Sequence, residues 1–181
     1  MIALDAYTGA PCPDFGDEAT VDLTHGLSEH AAYEYSVTSP PAILGDLAIT
    51  GSMVLDNVRL DVPSGVVRAY NIRDGELAWA WNPVPEDMEP LNEDGSYRSG
   101  TTNVWSIISV DSERNLVFVP TGNTSPDYFG GLRNGLDEFS SAVVALDGDS
   151  GELVWHYQMV HHDIWDYDTP AQPTLMDLRI D

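Results

Sequence analysis

Hydrophobic and polar residues alternate in short runs along the chain, and none of the runs keeps a helical period. After Gly75, residues Leu77, Trp79 and Trp81 fall on one face of an extended segment, with Glu76, Ala78 and Ala80 on the other. Leu153, Trp155 and Tyr157 repeat the pattern after Gly151. Further strand-like runs cover 42–50, 104–110 and 116–120, and Gly, Pro, Asn and Asp punctuate the intervals between them. This pattern predicts many short strands joined by tight turns, an all-β chain.

The runs form a repeat. Ala69-Tyr70-Asn71-Ile72-Arg73-Asp74-Gly75-Glu76-Leu77-Ala78-Trp79 and Ala145-Leu146-Asp147-Gly148-Asp149-Ser150-Gly151-Glu152-Leu153-Val154-Trp155 share the form Ala-x-Asn/Asp-x-x-x-Gly-Glu-Leu-x-Trp. Its first half recurs at Ala3-Leu4-Asp5-Ala6-Tyr7-Thr8-Gly9, where Pro11 and Pro13 replace the second strand. Each copy reads as strand, turn, strand. Repeat starts lie 66 and 76 residues apart, a spacing that suits two blades of about 40 residues per interval of a β-propeller. The competing architecture is a β-sandwich with two similar hairpins.

Composition narrows the partners. Thirty acidic residues face seven basic ones, all arginine, for a net charge of -23. Such a surface cannot neutralise phosphates, which excludes nucleic acid, and it repels an anionic membrane. The excess of acid also suits high salt. Cys12 is the single cysteine, so no intrachain disulfide forms. Asp5 interrupts the apolar start, no signal peptide is evident, and no run approaches the roughly 18 apolar residues of a membrane span. Both ends read as internal to a longer sequence.

Five segments carry a family resemblance. The repeat with its closing Trp resembles the tryptophan-docking motif of the quinoprotein dehydrogenases, eight-bladed β-propellers that hold pyrroloquinoline quinone on their axis. Thr38-Ser39-Pro40-Pro41, Gly51-Ser52-Met53-Val54-Leu55-Asp56-Asn57 and Thr121-Gly122-Asn123-Thr124-Ser125-Pro126-Asp127 are similar to family segments in the same order. The most specific is His161-His162-Asp163-Ile164-Trp165-Asp166-Tyr167-Asp168-Thr169-Pro170-Ala171-Gln172-Pro173, which resembles the membrane-bound glucose, quinate and shikimate dehydrogenases more than the methanol dehydrogenases. The resemblance implies that residues 1–181 are one partial propeller domain of roughly four blades. It also implies oxidation of a sugar or cyclic polyol, ubiquinone as electron acceptor, and a place on the periplasmic side of a bacterial inner membrane.

Alcohol oxidation needs a base for the hydroxyl proton while hydride leaves carbon. Asp166 matches the family's catalytic aspartate, and Trp165 and Tyr167 beside it would partly exclude water; read without the motif, it is a turn aspartate in an acid-rich chain. Asp56 and Asn123 match the carboxylate and amide ligands of a hard cation, Ca²⁺ (or Mg²⁺), which polarises the quinone carbonyl. Trp105, in Asn103-Val104-Trp105, matches the indole platform under the flat cofactor; Trp79 and Trp155 read instead as core residues between blades. Thr38 is a candidate for the cofactor's edge, or a turn threonine. Asp168 lies two residues from Asp166, on the same side of an extended segment, and adds a second carboxylate at the cofactor or its metal.

Other chemistries lack support. Asp147-Gly148-Asp149 opens like a calcium-binding loop, but Gly151 and Gln158 stand where that loop needs ligands. No phosphate-binding glycine loop occurs. Gly122-Asn123 differs from the Gly-Val of some glucose dehydrogenases, which leaves quinate, shikimate or another polyol open. The alternative function is a non-catalytic propeller scaffold of the kind used in outer-membrane assembly, which would need neither Trp165-Asp166-Tyr167-Asp168 nor Gly122-Asn123.

Overall fold

A computed structural model describes residues 1–179. Its strands are β1 (Tyr35–Ser36), β2 (Ala42–Leu44), β3 (Leu47–Thr50), β4 (Met53–Val54), β5 (Val67–Asn71), β6 (Leu77–Trp81), β7 (Ser109–Asp111), β8 (Leu116–Pro120), β9 (Ala142–Asp147) and β10 (Leu153–Gln158). The helical content among the described residues is one 3₁₀ turn, Gly130–Leu132.

Two antiparallel four-stranded sheets dominate, ordered β2-β3-β5-β6 and β7-β8-β9-β10, and β1 pairs with β4 in a small third sheet. A partial propeller is therefore the architecture. The blade count is corrected. Each repeat interval holds one four-stranded blade rather than two, so the described residues contain two such blades rather than four. The surplus residues of each interval go mainly into long connections, 51–66, 82–108 and 121–141, whose one strand, β4, pairs with β1 outside the blades.

The repeat works as a turn. In all three copies the glycine N–H donates to the carbonyl four residues earlier: Gly9 to Asp5 at 2.8 Å, Gly75 to Asn71 at 2.8 Å, and Gly151 to Asp147 at 2.9 Å. The side-chain oxygen of Asp5, Asn71 or Asp147 accepts N–H groups two or three residues on, which closes the loop locally. Each glycine has a left-handed φ, +70°, +77° and +71°, where other residues are strained.

The conserved spacing to tryptophan has its own reason at Trp79. Its Nε1 donates to the Gly148 carbonyl of the next blade at 2.9 Å, and the indole is buried. A Cβ on Gly151 would lie 2.5 Å from Trp79 Cε3. The indole of one blade therefore rests flat on the turn of the next, and glycine is required there twice over. Trp155 differs from the expectation for a core residue. It packs against Phe118 but stays 43% exposed, because no strand covers it among the described residues.

One core joins the blades. Leu44, Ile49, Val67 and Trp79 from the first pack with Val117, Val119, Val144 and Leu146 from the second. The first strands, β2 and β7, lie against each other. Antiparallel order then fixes where loops go. The segment before a blade's first strand, the loop between its second and third strands, and the segment after its fourth all emerge at one end of the sheet. Thr38, Asp56, Trp105, Asn123, Asp127, Asp166 and Asp168 lie on such segments, so topology alone gathers them at one end of the two blades.

Candidate active site

Three loops bring acid together. Carboxylate oxygens of Asp56, Asp127 and Asp166 lie within 4.8 Å of one another. Asp56 comes from the loop after β4, Asp127 from the β8–β9 loop, and Asp166 from the segment after β10. Asp127 is buried, Asp166 half-buried and Asp56 exposed. Asp168 stands behind them, accepting the Trp105 indole N–H at 3.0 Å and the Asn123 backbone N–H.

Local geometry explains how the Trp-Asp-x-Asp run presents its acids. Asp166 and Asp168 adopt left-handed φ values of +60° and +56°, a region that Asp tolerates better than most residues. The run is thus coiled rather than extended. What holds it is Asp163, whose fully buried carboxylate accepts the Ser141 hydroxyl at 2.7 Å and the backbone N–H groups of Trp165 at 3.0 Å and Tyr167 at 2.9 Å. Burial pushes the Asp163 acid up, but these donors outweigh it and the net direction is down. Below Asp168, Thr169 N–H donates to the Thr121 carbonyl at 3.1 Å and Ser109 Oγ to the Pro173 carbonyl at 2.5 Å, which pins the segment along the second blade.

The electrostatics are lopsided. Burial, then the charges of Asp56, Asp166 and Asp168, push the Asp127 acid up to about 7, and Arg133 opposes them only in part. Asp56 is raised by loss of water and then by Asp166. Asp168 is raised by burial, against the donors from Asn123 and Trp105. Asp127 Oδ2 is also buried without a hydrogen-bond partner. Clustered carboxylates with an orphaned buried oxygen are the donor set of a hard cation, and a divalent cation fits these residues.

The candidates divide. Asp56 and Asp166 stand in the cluster, and Asp168 and Trp105 form its wall. A Cβ on Gly122 would lie 2.6 Å from Asn103 Oδ1, 3.1 Å from Asp168 Oδ1 and 3.4 Å from Trp105 Cδ1, so glycine there lets the wall close up. Thr38 sits beside Trp105, but its hydroxyl and that of Ser39 donate to the Trp105 carbonyl at 2.7 and 2.8 Å, anchoring the platform's backbone. Asn123 adjoins the cluster, and its amide oxygen accepts Thr124 N–H at 2.9 Å and Ser140 Oγ at 2.8 Å. Trp165 and Tyr167 do not shield Asp166; they are 62% and 64% exposed. Tyr128 accompanies it instead, donating its hydroxyl to Asp166 Oδ2 at 3.2 Å. Sequence reasoning passed over Asp127, although it ends the Thr-Gly-Asn-Thr-Ser-Pro-Asp run, and over Arg133, which no pattern marks.

The PQQ glucose/ethanol/alcohol dehydrogenase beta-propeller domain family matches residues 1–181. The chain belongs to this family. This quinoprotein chain is 43% identical over 180 residues to the quinate/shikimate dehydrogenase (quinone) of Acinetobacter baylyi, covering 98% of the chain and 22% of that relative. It is 41% identical over 181 residues to the glycerol dehydrogenase large subunit of Gluconobacter thailandicus, covering 98% of the chain and 24% of that protein. Among solved structures, the quinohemoprotein alcohol dehydrogenase of Comamonas testosteroni superposes with a TM-score of 0.76 at 27% identity, over 99% of the chain and 27% of that structure. The chain thus spans about a quarter of the length of these relatives.

Proposed function

We propose that this segment supplies the base, the cation ligands and one wall of the cofactor site in a quinoprotein dehydrogenase that oxidises a CH–OH group of a sugar or cyclic polyol. The observation that carries the proposal is the meeting of Asp56, Asp127 and Asp166 from three loops, with the Trp105 indole fixed by Asp168 beside them. When bound, pyrroloquinoline quinone supplies the hydride acceptor and a divalent cation, Ca²⁺ (or Mg²⁺), the Lewis acid that polarises it.

The chain's own residues do the rest. Asp56 and Asp127 would hold the cation, which would give the orphaned Asp127 oxygen a partner. Trp105 offers the flat apolar face against which a tricyclic ring stacks. Asp166 takes the substrate hydroxyl proton at a carboxylate oxygen, while the Tyr128 hydroxyl fixes that carboxylate's orientation. Thr38 and Ser39 keep the platform in place. The names of the quinate/shikimate and glycerol relatives support a polyol substrate, and the first names a quinone as acceptor; for this protein the proposed acceptor is ubiquinone, on the periplasmic side of the membrane. A scaffold propeller has no use for three carboxylates forced together against their own repulsion.

The test uses the full-length protein. Asp166→Asn keeps side-chain shape and removes basicity, so kcat should fall by about 10²–10⁴-fold with quinone still bound. Trp105→Ala should instead lose quinone absorbance on dialysis. Near-parent turnover of Asp166→Asn at saturating cofactor means that another group is the base.

A further inference from the structure

Arg133 is a cation with no part in the proposed reaction, yet its side chain is 0% exposed. Burying a guanidinium is costly unless its donors are satisfied. Its nearest carboxylate, Asp137, stands 3.7 Å from Nη1, so a close ion pair is not what satisfies it. Carbonyl oxygens satisfy Nε and Nη2, while the buried Nη1 has no hydrogen-bond partner. Nε and Nη2 donate to Pro126 O at 3.2 and 3.1 Å, and Nη2 donates to Asp127 O at 2.9 Å and to Asp163 O at 2.5 Å.

These carbonyls belong to the two loops that carry buried acid. Pro126 and Asp127 lie on the β8–β9 loop, and Asp163 begins the segment after β10. The Asp163 side chain passes the constraint on by gripping the N–H groups of Trp165 and Tyr167, which flank Asp166. A planar fork donating to both backbones sets their separation more rigidly than a flexible ammonium could. We propose that Arg133 is a positioning residue: by clasping the backbones of Pro126, Asp127 and Asp163 it fixes the cation ligand Asp127 against the segment that carries the base Asp166, and so keeps the site that Asp127 and Asp56 offer a divalent cation in shape. The inference rests on the cation site of the proposed function.

Charge and position predict opposite outcomes. If Arg133 acted only through its charge, removing it would strengthen cation binding and replacing it by lysine would change nothing. If it acts by position, both changes weaken binding. The experiment titrates Ca²⁺ into the metal-free full-length protein and its Arg133→Lys and Arg133→Met variants by calorimetry, with circular dichroism to confirm the all-β spectrum. Both variants should need 10–100-fold more Ca²⁺ to reach half-saturation, the usual loss when a group that orients metal ligands is removed. A parent-like midpoint for Arg133→Lys, or a tighter one for Arg133→Met, overturns the proposal. Should Arg133→Met fail to fold, Arg133→Lys, which keeps the charge and most of the stem, decides alone. A parent that binds no Ca²⁺ overturns the cation site itself, whereas a binding parent matched by both variants overturns only the role of Arg133.

Discussion

Asp127 concentrates the chemistry of the site in one carboxyl. Its acid sits at about 7 because burial and three neighbouring carboxylates all disfavour its charge. A cation must displace that proton to use both oxygens. The sign follows: above pH 7 Asp127 is ionised and binds fully, and as pH falls through 7 protons compete. The Ca²⁺ midpoint of the full-length protein should therefore rise by up to about tenfold per pH unit below 7, with one proton released per ion bound. Asp56 and Asp168, raised in the same direction, steepen the loss at lower pH. Calorimetry in two buffers of different ionisation enthalpy measures the proton count; a midpoint flat between pH 6 and 8 would show that Asp127 is not a ligand. Sequence could name Asp56 and Asp166, since each sits in a distinctive run. It could not rank Asp127 above the other acidic residues, because what distinguishes Asp127 is burial and neighbours from distant loops. Asn123, like Asp56 and Asp166, sits in a distinctive run, and its amide oxygen accepts the Ser140 hydroxyl.

At the scale of elements, the strands and turns were legible because their causes are local. Alternation and the Asx-type turn at Asn71 and Asp147 depend on residues at most five apart in sequence. Blade number was not legible. A 76-residue interval holds either two compact blades or one blade with long loops, and alternation cannot tell a loop that folds on its neighbours from a strand. The docking of Trp79 on Gly151 is the contact that converts a linear repeat into a radial one. Trp79→Ala deletes a buried indole and its bond to Gly148, and should cost about 3–5 kcal/mol. Gly151→Ala meets two penalties, a left-handed φ and a Cβ driven into the indole, together about 2–4 kcal/mol. Because both act on one contact, the double variant should cost clearly less than the two together. Urea unfolding of the four proteins closes the cycle; strict additivity would show that the two residues do not share an interaction.

Over the whole molecule, charge is the unbalanced quantity. Thirty acidic residues face seven arginines, and those arginines are not all free to neutralise surface acid. Arg68 and Arg133 are buried and donate to backbone carbonyls, while Arg59, Arg73 and Arg114 are paired with nearby acids. The remaining acids repel one another, most densely where they follow closely in sequence. Glu86, Asp87, Glu89 and Glu93 crowd the 82–108 loop, remote in sequence from the site carboxylates. Repulsion of this kind is screened over about 8–10 Å at ionic strengths of 0.1–0.15 M, and it acts on the folded state more than on an expanded chain. Changing these four to Gln and Asn should raise Tm at low salt and shrink the rise in Tm that the parent shows between low salt and about 1 M NaCl. The site carboxylates should not follow this rule, because their repulsion is relieved by a bound divalent cation rather than by diffuse screening. Millimolar Ca²⁺ should therefore raise Tm equally in parent and variant, at any NaCl concentration that leaves binding saturated. If the fourfold variant keeps the parent's full NaCl dependence, the acidic excess of this loop is not what limits stability, and the screened repulsion resides among the other exposed acids.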